Sequence, residues 1–312
     1  MKACAFSPGK AILLGEHFVV HGAYALVAAI QQGSFASTSF SDMDEIVSES
    51  LNIVWKEGST VPTPLLPYKK ALDKIREQCN FSKKIRSIIS TNLPISAGLG
   101  SSSSSSVAFS ASVLKLVSGE VDYNMLFNIS MESERITHGN PSGVDVFIGI
   151  RGGVHLFKKD GFSKEIILPN TIKVLLVNTG AVRQTSKLIS KFSHFKDLYP
   201  SYFKRLVESS SHLTLIGSEC LSRGSLEEFG LLMCYQHAIL SYFGVSNKML
   251  DKIVELAMAS GALGAKLTGA GGGGCAIVLP QQSMVEEILN NFKNFEVYIS
   301  EIPAGGLKVW VE

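Results

Sequence analysis

A glycine- and serine-rich stretch, Pro94-Ile-Ser-Ala-Gly-Leu-Gly followed by six serines from Ser101 to Ser106, has the residue types of a phosphate-binding loop. Gly98 and Gly100 allow the main chain to turn back and approach an anion, because a residue without Cβ tolerates positive φ. Apolar positions recur at helical spacing after the serines, and the first N–H groups of a helix attract anions. A solvated serine-rich linker is the alternative, but the helical pattern favours the phosphate-binding loop.

Three ionisable side chains lie close together near the start of the sequence. Lys10, Glu16 and His17 place an ammonium, a carboxylate and an imidazole within the eleven residues from Ser7 to His17. This group could bind a small polar substrate, whereas the plainer alternative is a surface lysine beside a turn. Ser7-Pro-Gly-Lys10 also matches the Ser-x-x-Lys motif of penicillin-binding proteins, but neither Ser-Asp-Asn nor Lys-Thr-Gly accompanies it in the sequence.

Two carboxylates, Glu134 and Asp145, flank the turn-forming segment Pro141-Ser-Gly143. Brought to one site, they would suit binding of a divalent metal together with proton abstraction or orientation of a nucleophile, which are the parts that phosphoryl transfer needs. Taken alone, a helical glutamate is more often solvated. The two carboxylates therefore become candidates only in combination with the loops.

A second glycine run, Gly269-Ala-Gly-Gly-Gly-Gly274, has the Gly-x-Gly-x-x-Gly spacing of a dinucleotide-binding loop. That loop should open a helix, whereas a strand-like segment, Cys275 to Leu279, follows the run here. Close packing of its backbone against a phosphate is therefore the better interpretation, and a flexible hinge is the alternative. The common P-loop motif is absent from the sequence.

The bulk properties describe a globular protein with two domains. The chain has 312 residues, of which 46% are hydrophobic and 18% charged. A net charge of +2 gives no reason to expect nucleic acid or an anionic membrane as a partner. Five scattered cysteines indicate reduced thiols. The sequence shows no apolar run long enough for a membrane helix and no signal-peptide pattern, so we expect a cytoplasmic protein.

Periodicity places the motifs on mixed helices and strands. The N-terminal segment alternates as two short strands, Ala3–Ser7 and Ala11–Leu14, with a break at Pro8-Gly9. Helices and strands mix in the second half as in an α+β sandwich. The polar turn Lys158-Lys-Asp-Gly161 is the predicted boundary between domains at 1–160 and 161–312.

Taken together, the three loops resemble the family of small-molecule kinases named for galactokinase, homoserine kinase, mevalonate kinase and phosphomevalonate kinase. The motifs are Ser7-Pro-Gly-Lys-Ala-Ile-Leu-Leu-Gly-Glu-His17, Pro94 to Ser103, and Lys266-Leu-Thr-Gly-Ala-Gly-Gly-Gly-Gly274, in the family's order. Within the family, Gly15 to Gly22 and Glu134 to Asp145 most resemble the mevalonate kinase branch. The resemblance implies an α+β fold with an N-terminal domain like domain 2 of ribosomal protein S5, a ferredoxin-like C-terminal domain, and ATP between them.

The resemblance also implies roles for individual residues. Asp145 would take or orient the proton of the substrate hydroxyl, and Lys10 would stabilise the developing alkoxide. Ser102 and Glu134 would hold Mg²⁺ on the β- and γ-phosphates. Glu16, His17 and Arg183 would line the mevalonate site. The implied phosphate-binding residues are Pro94, Gly98, Leu99, Gly100, Ser101, Ser102, Ser103, Gly271, Gly272 and Gly273.

Two positions depart from the family pattern. Val146 stands where many mevalonate kinases have Asn, and the serine run is longer than the usual Ser-Ser-Ala, which leaves open which serine contacts the metal. The implied activity is transfer of the ATP γ-phosphate to the 5-hydroxyl of mevalonate, with no nucleic-acid or membrane partner. A phosphomevalonate kinase and a non-catalytic nucleotide-binding regulator stay open as alternatives, as does a homodimer.

Overall fold

The N-terminal segment forms one long strand, and not two short ones. In the computed structural model, which describes residues 1–94, 97–139, 141–181, 192 and 194–312, β1 (Lys2–Leu14) pairs antiparallel with β2 (Ala25–Phe40). The pairing register shifts between Pro8 and Lys10. This irregularity tolerates a proline, which cannot donate to the ladder, so the predicted break is a bulge inside β1.

These two strands belong to the larger sheet. Its other strands are β3 (Glu45–Ser48), β4 (Ile53–Lys56), β5 (Ile85–Thr91), β6 (Val154–Phe157), β7 (Ser163–Glu165) and β12 (Lys308–Val311). The strand order is β12-β1-β2-β5-β3-β4, and all pairs are antiparallel except β3 with β5. Strand β6 pairs with the first residues of β2, Ala25 to Ala28, and β7 pairs with β6.

Four helices accompany this sheet in the described part of the chain: α1 (Leu66–Cys79), α2 (Ser101–Ser118), α3 (Tyr123–His138) and α4 (Val144–Arg151). Helix α2 packs on β1 and β2 and is flanked by α1, α3 and α4. It is buried over almost its whole length, so small and apolar residues occur on all of its faces and not on one face only.

The smaller sheet has the order β11-β8-β10-β9, with every neighbouring pair antiparallel. Its strands are β8 (Ile172–Asn178), β9 (Gly264–Leu267), β10 (Cys275–Leu279) and β11 (Glu296–Ile302). Its helices are α5 (Pro200–Arg223), α6 (Leu226–Tyr242), α7 (Lys248–Ala259) and α8 (Val285–Asn290). Helix α6 approaches β9 closely because both carry glycine there; a Cβ on Gly230 would lie 2.1 Å from the carbonyl oxygen of Leu263.

Hydrogen bonds join the two sheets at the end of β1. The hydroxyl of Thr268, just after β9, donates to the carbonyl of Ile12 (3.0 Å) and accepts from the amide of Ile12 (2.9 Å). The amide of Cys275 donates to the carbonyl of Ala97 (3.1 Å), which connects β10 to the predicted phosphate-binding loop. The expected α+β class is confirmed, and the boundary at residue 160 stays a prediction. Within the described ranges, no helix is both long and apolar enough to span a bilayer.

Candidate active site

The serine run begins a helix at the point where the preceding glycines turn the main chain. Gly98 and Gly100 have φ values of 81° and 77°, and α2 starts at Ser101 immediately after Gly100. Leu99 between them is buried, and its carbonyl accepts a hydrogen bond from the amide of Lys10 (2.8 Å). The loop is therefore anchored on β1, and the unpaired N–H groups of the first turn of α2 open towards the cleft.

Lys10 and Asp145 meet beside this turn. The Lys10 Nζ lies 3.1 Å from Asp145 Oδ1, and the lysine side chain is only 7% exposed. Asp145 stands in the first turn of α4, whose N-terminus favours a negative charge. Helix α4 is held against β1 by the hydroxyl of Ser7, which donates to the carbonyl of Gly149 (3.1 Å). The sequence alone did not place α4 against β1.

Gly100 has a steric role in addition to its backbone conformation. A Cβ on Gly100 would lie 3.2 Å from Asp145 Oδ1 and 3.2 Å from Lys10 Cγ. A side chain at position 100 would therefore crowd both members of the pair.

Ser102 and Glu134 form a second polar pair in the cleft. The hydroxyl of Ser102 donates to Glu134 Oε1 (3.1 Å), and Glu134 is only 4% exposed. A hydroxyl and a carboxylate are the hard oxygen ligands that Mg²⁺ prefers. Among the described residues, no three His, Cys, Asp or Glu side chains converge to bind a metal by themselves. These residues therefore fit a cation whose remaining ligands come from a bound phosphate or water.

The two pairs line a cleft of about 820 Å³. Its walls also include residues that the sequence analysis missed, from α1, α3, β5 and nearby loops: Ser50, Thr63, Tyr68, Thr91 and Thr137. Burial raises the pKa of the Tyr68 phenol. These residues lie on separate elements and share no motif, so no local sequence signal pointed to them.

Only part of the second glycine run faces the cleft. Gly269 and Ala270 line it, whereas the following glycines pack against neighbouring loops. Gly272 donates its amide to the carbonyl of Val245 (2.8 Å), and a Cβ on Gly271 would lie 2.3 Å from that same oxygen. A Cβ on Gly273 would similarly lie 2.9 Å from the carbonyl of Ala181.

Glu16 is completely buried and forms an ion pair with Lys266, which is also completely buried. Lys266 also donates to the carbonyl of Leu267 (2.6 Å). Burial raises the pKa of Glu16 and lowers the pKa of Lys266, and each charge partly offsets the shift of the other. The pair joins the end of β1 to β9, at the junction of the two sheets.

His17 contacts the second glycine run through its imidazole ring. Its backbone has a φ of 62°, and its Nε2 lies 3.0 Å from the carbonyl of Ala270. Burial lowers the pKa of His17 to about 4, so the ring is neutral at physiological pH and donates from Nε2. Pro94 stands at the start of the phosphate-binding loop, and Arg183 lies outside the described residues.

The sequence matches known families over both halves. Residues 67–153 match the family model of the GHMP kinases N terminal domain, and residues 218–297 match that of the GHMP kinases C terminal domain. The mevalonate kinase of Aeropyrum pernix is 32% identical over 300 residues, covering 93% of this chain and 92% of that protein.

Solved structures with the same architecture include two mevalonate kinases. The crystal structure of L. major mevalonate kinase in complex with R-mevalonate is similar with a TM-score of 0.81 at 27% identity, covering 96% of each chain. Mevalonate kinase from Methanococcus jannaschii is similar with a TM-score of 0.83 at 25% identity, covering 96% of this chain and 97% of that one. With both domain models matched and a relative 32% identical over nearly its whole length, the chain belongs to the GHMP kinase family.

Proposed function

We propose that this chain is a mevalonate kinase, which transfers the γ-phosphate of ATP to the 5-hydroxyl of mevalonate by direct in-line displacement. The observation that carries the proposal is the Lys10–Asp145 pair, placed where the N-termini of α2 and α4 meet at one cleft. The mevalonate kinases of similar sequence and structure support the choice of substrate.

Asp145 is proposed to accept or orient the proton of the attacking hydroxyl, because a general base must stand within hydrogen-bond reach of that proton. The ammonium of Lys10, 3.1 Å from Asp145 Oδ1, would lie beside the same oxygen and stabilise its developing negative charge. No side chain has to become phosphorylated in this scheme, since the acceptor hydroxyl attacks the phosphate itself.

The nucleotide phosphates are proposed to bind at the start of α2. Backbone N–H groups from Gly98 to Ser103 would bind the phosphate oxygens, and Ser102 with Glu134 would hold Mg²⁺. When bound, Mg²⁺ would neutralise charge on the β- and γ-phosphates during transfer. Pro94, Leu99 and the glycines 271–273 stay proposed phosphate-binding residues.

The charge of the cleft favours an acceptor without a phosphate of its own. Among the described residues that line the cleft, Lys10 is the only lysine or arginine. A phosphorylated acceptor such as phosphomevalonate brings an extra dianion, which proteins bind with additional basic groups. Arg183 remains our candidate for the mevalonate carboxylate, and Glu16 and His17 remain candidates at that end of the site.

The division into domains at 1–160 and 161–312, with the active site between them, is part of the same proposal. Strands β8 to β11 form the smaller sheet and support this division, whereas β7 and β12 of the second range pair within the larger sheet. Gly269 and Ala270 bring the second half of the chain to the cleft. A homodimer stays a prediction from the sequence.

The test is an assay of ADP release with four acceptors: mevalonate, phosphomevalonate, homoserine and galactose. We expect Mg²⁺-dependent turnover with mevalonate and at most about 1% of that rate with each of the others, because one missing or extra polar group at a specific site costs several orders of magnitude in specificity. Turnover restricted to another acceptor would overturn the substrate, and ATP binding without turnover of any of the four would overturn the proposed kinase activity.

A further inference from the structure

Four of the six serines in the run are buried. Ser101 and Ser102 are partly exposed, whereas Ser103 to Ser106 are at most 5% exposed. Burying a hydroxyl is unfavourable unless it finds a hydrogen-bond partner. The partners of the buried serines therefore indicate what the extended run does.

Ser34, in the middle of β2 and completely buried, connects two of these serines. Its Oγ lies 2.7 Å from Ser104 Oγ and 2.8 Å from Ser105 Oγ. It also lies 3.1 Å from Thr91 Oγ1, the last residue of β5. A serine hydroxyl donates once and accepts twice, so three hydroxyl neighbours use its full capacity.

This cluster contacts both ends of the phosphate-binding loop. At the start of the loop, Thr91 donates to the carbonyl of Gly33 (3.0 Å) and accepts from the amide of Leu93 (3.1 Å). At the end of the loop, Ser104 lies within hydrogen-bond distance of the carbonyl of Ser101 (3.1 Å). Ser34 therefore ties the residue that enters the loop to the helix turn that leaves it.

The cluster also reaches the cleft wall. Ser105 and Thr91 both line the cleft, as does Tyr68 on α1. The chain of hydroxyls thus runs from the cleft wall to the entry of the loop.

We propose that the buried hydroxyl cluster formed by Ser34, Thr91, Ser104 and Ser105 positions the phosphate-binding loop for ATP. These are positioning residues, because they act through the main chain of the loop. The inference rests on the proposed function only in taking ATP as the ligand of this loop. It gives a role to two serines of the run beyond Ser101 and Ser102, the two that are partly exposed.

The same three elements carry a matched second cluster away from the cleft. Thr38 on β2 lies 2.9 Å from the hydroxyl of Ser87 on β5 and 2.7 Å from that of Ser112 on α2. Ser112 also donates to the carbonyl of Phe109, three residues earlier (2.8 Å). Ser104 and Ser112 are therefore alike in burial, in helix and in hydrogen-bond partners, and differ in their distance along α2 from the loop.

The experiment compares Ser104→Ala with Ser112→Ala by direct titration of ATP in the presence of Mg²⁺, with Tm measured for both. We expect Ser104→Ala to weaken ATP binding roughly 3- to 10-fold, the range of one lost hydrogen bond, and Ser112→Ala to leave it within about twofold. The Tm of both should fall by similar amounts, and the KM for mevalonate should not change. Ser34→Ala, which removes the centre of the cluster, should behave as Ser104→Ala and serves if the latter does not fold.

Equal ATP affinity in Ser104→Ala and Ser112→Ala would overturn the positioning role, whether or not mevalonate is the substrate. If the wild-type protein bound ATP but phosphorylated no acceptor, the proposed function would fail while this comparison still stood. If the wild-type protein did not bind ATP, both would be wrong.

Discussion

At the scale of single residues, the site depends on side chains that are far apart in sequence. Lys10 lies in β1 and Asp145 in α4, yet their charged atoms are 3.1 Å apart. The contact requires the bulge in β1 and the close approach of α4 through Ser7 and Gly149. Turnover at a site built in this way should depend on the ability of the Asp145 carboxylate to accept a proton.

We expect Asp145→Asn to lower kcat about 10²- to 10⁴-fold, the usual contribution of a general base. The affinity for ATP should change less than about threefold, because the amide keeps the size of the carboxylate and is not proposed to contact the phosphates. Single-turnover kinetics and ATP titration would measure the two effects separately.

Asp122→Asn is the matched control for this substitution. Asp122 caps the N-terminus of α3, where Asn is an equally good cap, so kcat and stability should stay at wild-type values. Wild-type turnover by Asp145→Asn would show that another group accepts the proton.

At the scale of elements, the start of α2 must lie within reach of both Lys10 and Asp145. The two glycines that flank this helix allow the effect of backbone strain to be separated from that of the site. Gly100 before α2 and Gly119 after it have nearly equal φ values of 77° and 76°. A Cβ on Gly100 would crowd Asp145 and Lys10, whereas a Cβ on Gly119 would meet nothing within 4 Å.

Gly100→Ala and Gly119→Ala should each destabilise the protein by about 1–2 kcal/mol, because both place an L-residue at positive φ. Only Gly100→Ala should also lower kcat, by up to about 10-fold, because the added Cβ would displace Asp145 or Lys10 slightly and turnover depends on the alignment of the reacting groups. Urea unfolding and steady-state kinetics on both variants test this prediction. A similar loss of kcat in both would mean that global strain, and not the steric fit beside Asp145, explains the effect.

At the scale of the whole molecule, the junction of the two sheets contains a buried ion pair. Glu16 follows β1 and Lys266 belongs to β9, and both are fully removed from solvent. The hydrogen bonds between Thr268 and Ile12 lie at the same junction. The cleft is lined by residues from both halves of the chain. The stability of this junction should therefore affect the position of Gly269 and Ala270 in the cleft.

Removal of one partner should leave an uncompensated buried charge. We therefore expect Glu16→Gln or Lys266→Met to lower the free energy of unfolding by about 3–5 kcal/mol, and the double variant to lose clearly less than the sum of the two. Equilibrium unfolding in urea for the four proteins gives the coupling free energy directly. Additive losses would show that the two side chains do not stabilise each other across the junction.

The sequence by itself determined the elements and the candidate residues. The local pattern predicted a strand over Cys275–Leu279, where the structure has β10, and a helix directly after the glycines of the phosphate-binding loop, because these signals are local. The pairing of Lys10 with Asp145 and of Ser102 with Glu134 was only implied by family resemblance, since spacing along a chain does not state which elements pack together.

Tertiary structure alone decided what is buried and what faces the cleft. Glu16 stays a proposed residue of the mevalonate site, and only the tertiary structure showed that its side chain is enclosed with Lys266 from a distant strand. Ser104 and Ser105 had no assigned role until Ser34 of β2 supplied a hydroxyl partner for both. Such contacts depend on long-range packing. A buried polar side chain needs hydrogen-bond partners, and here these partners come from elements that are distant in sequence.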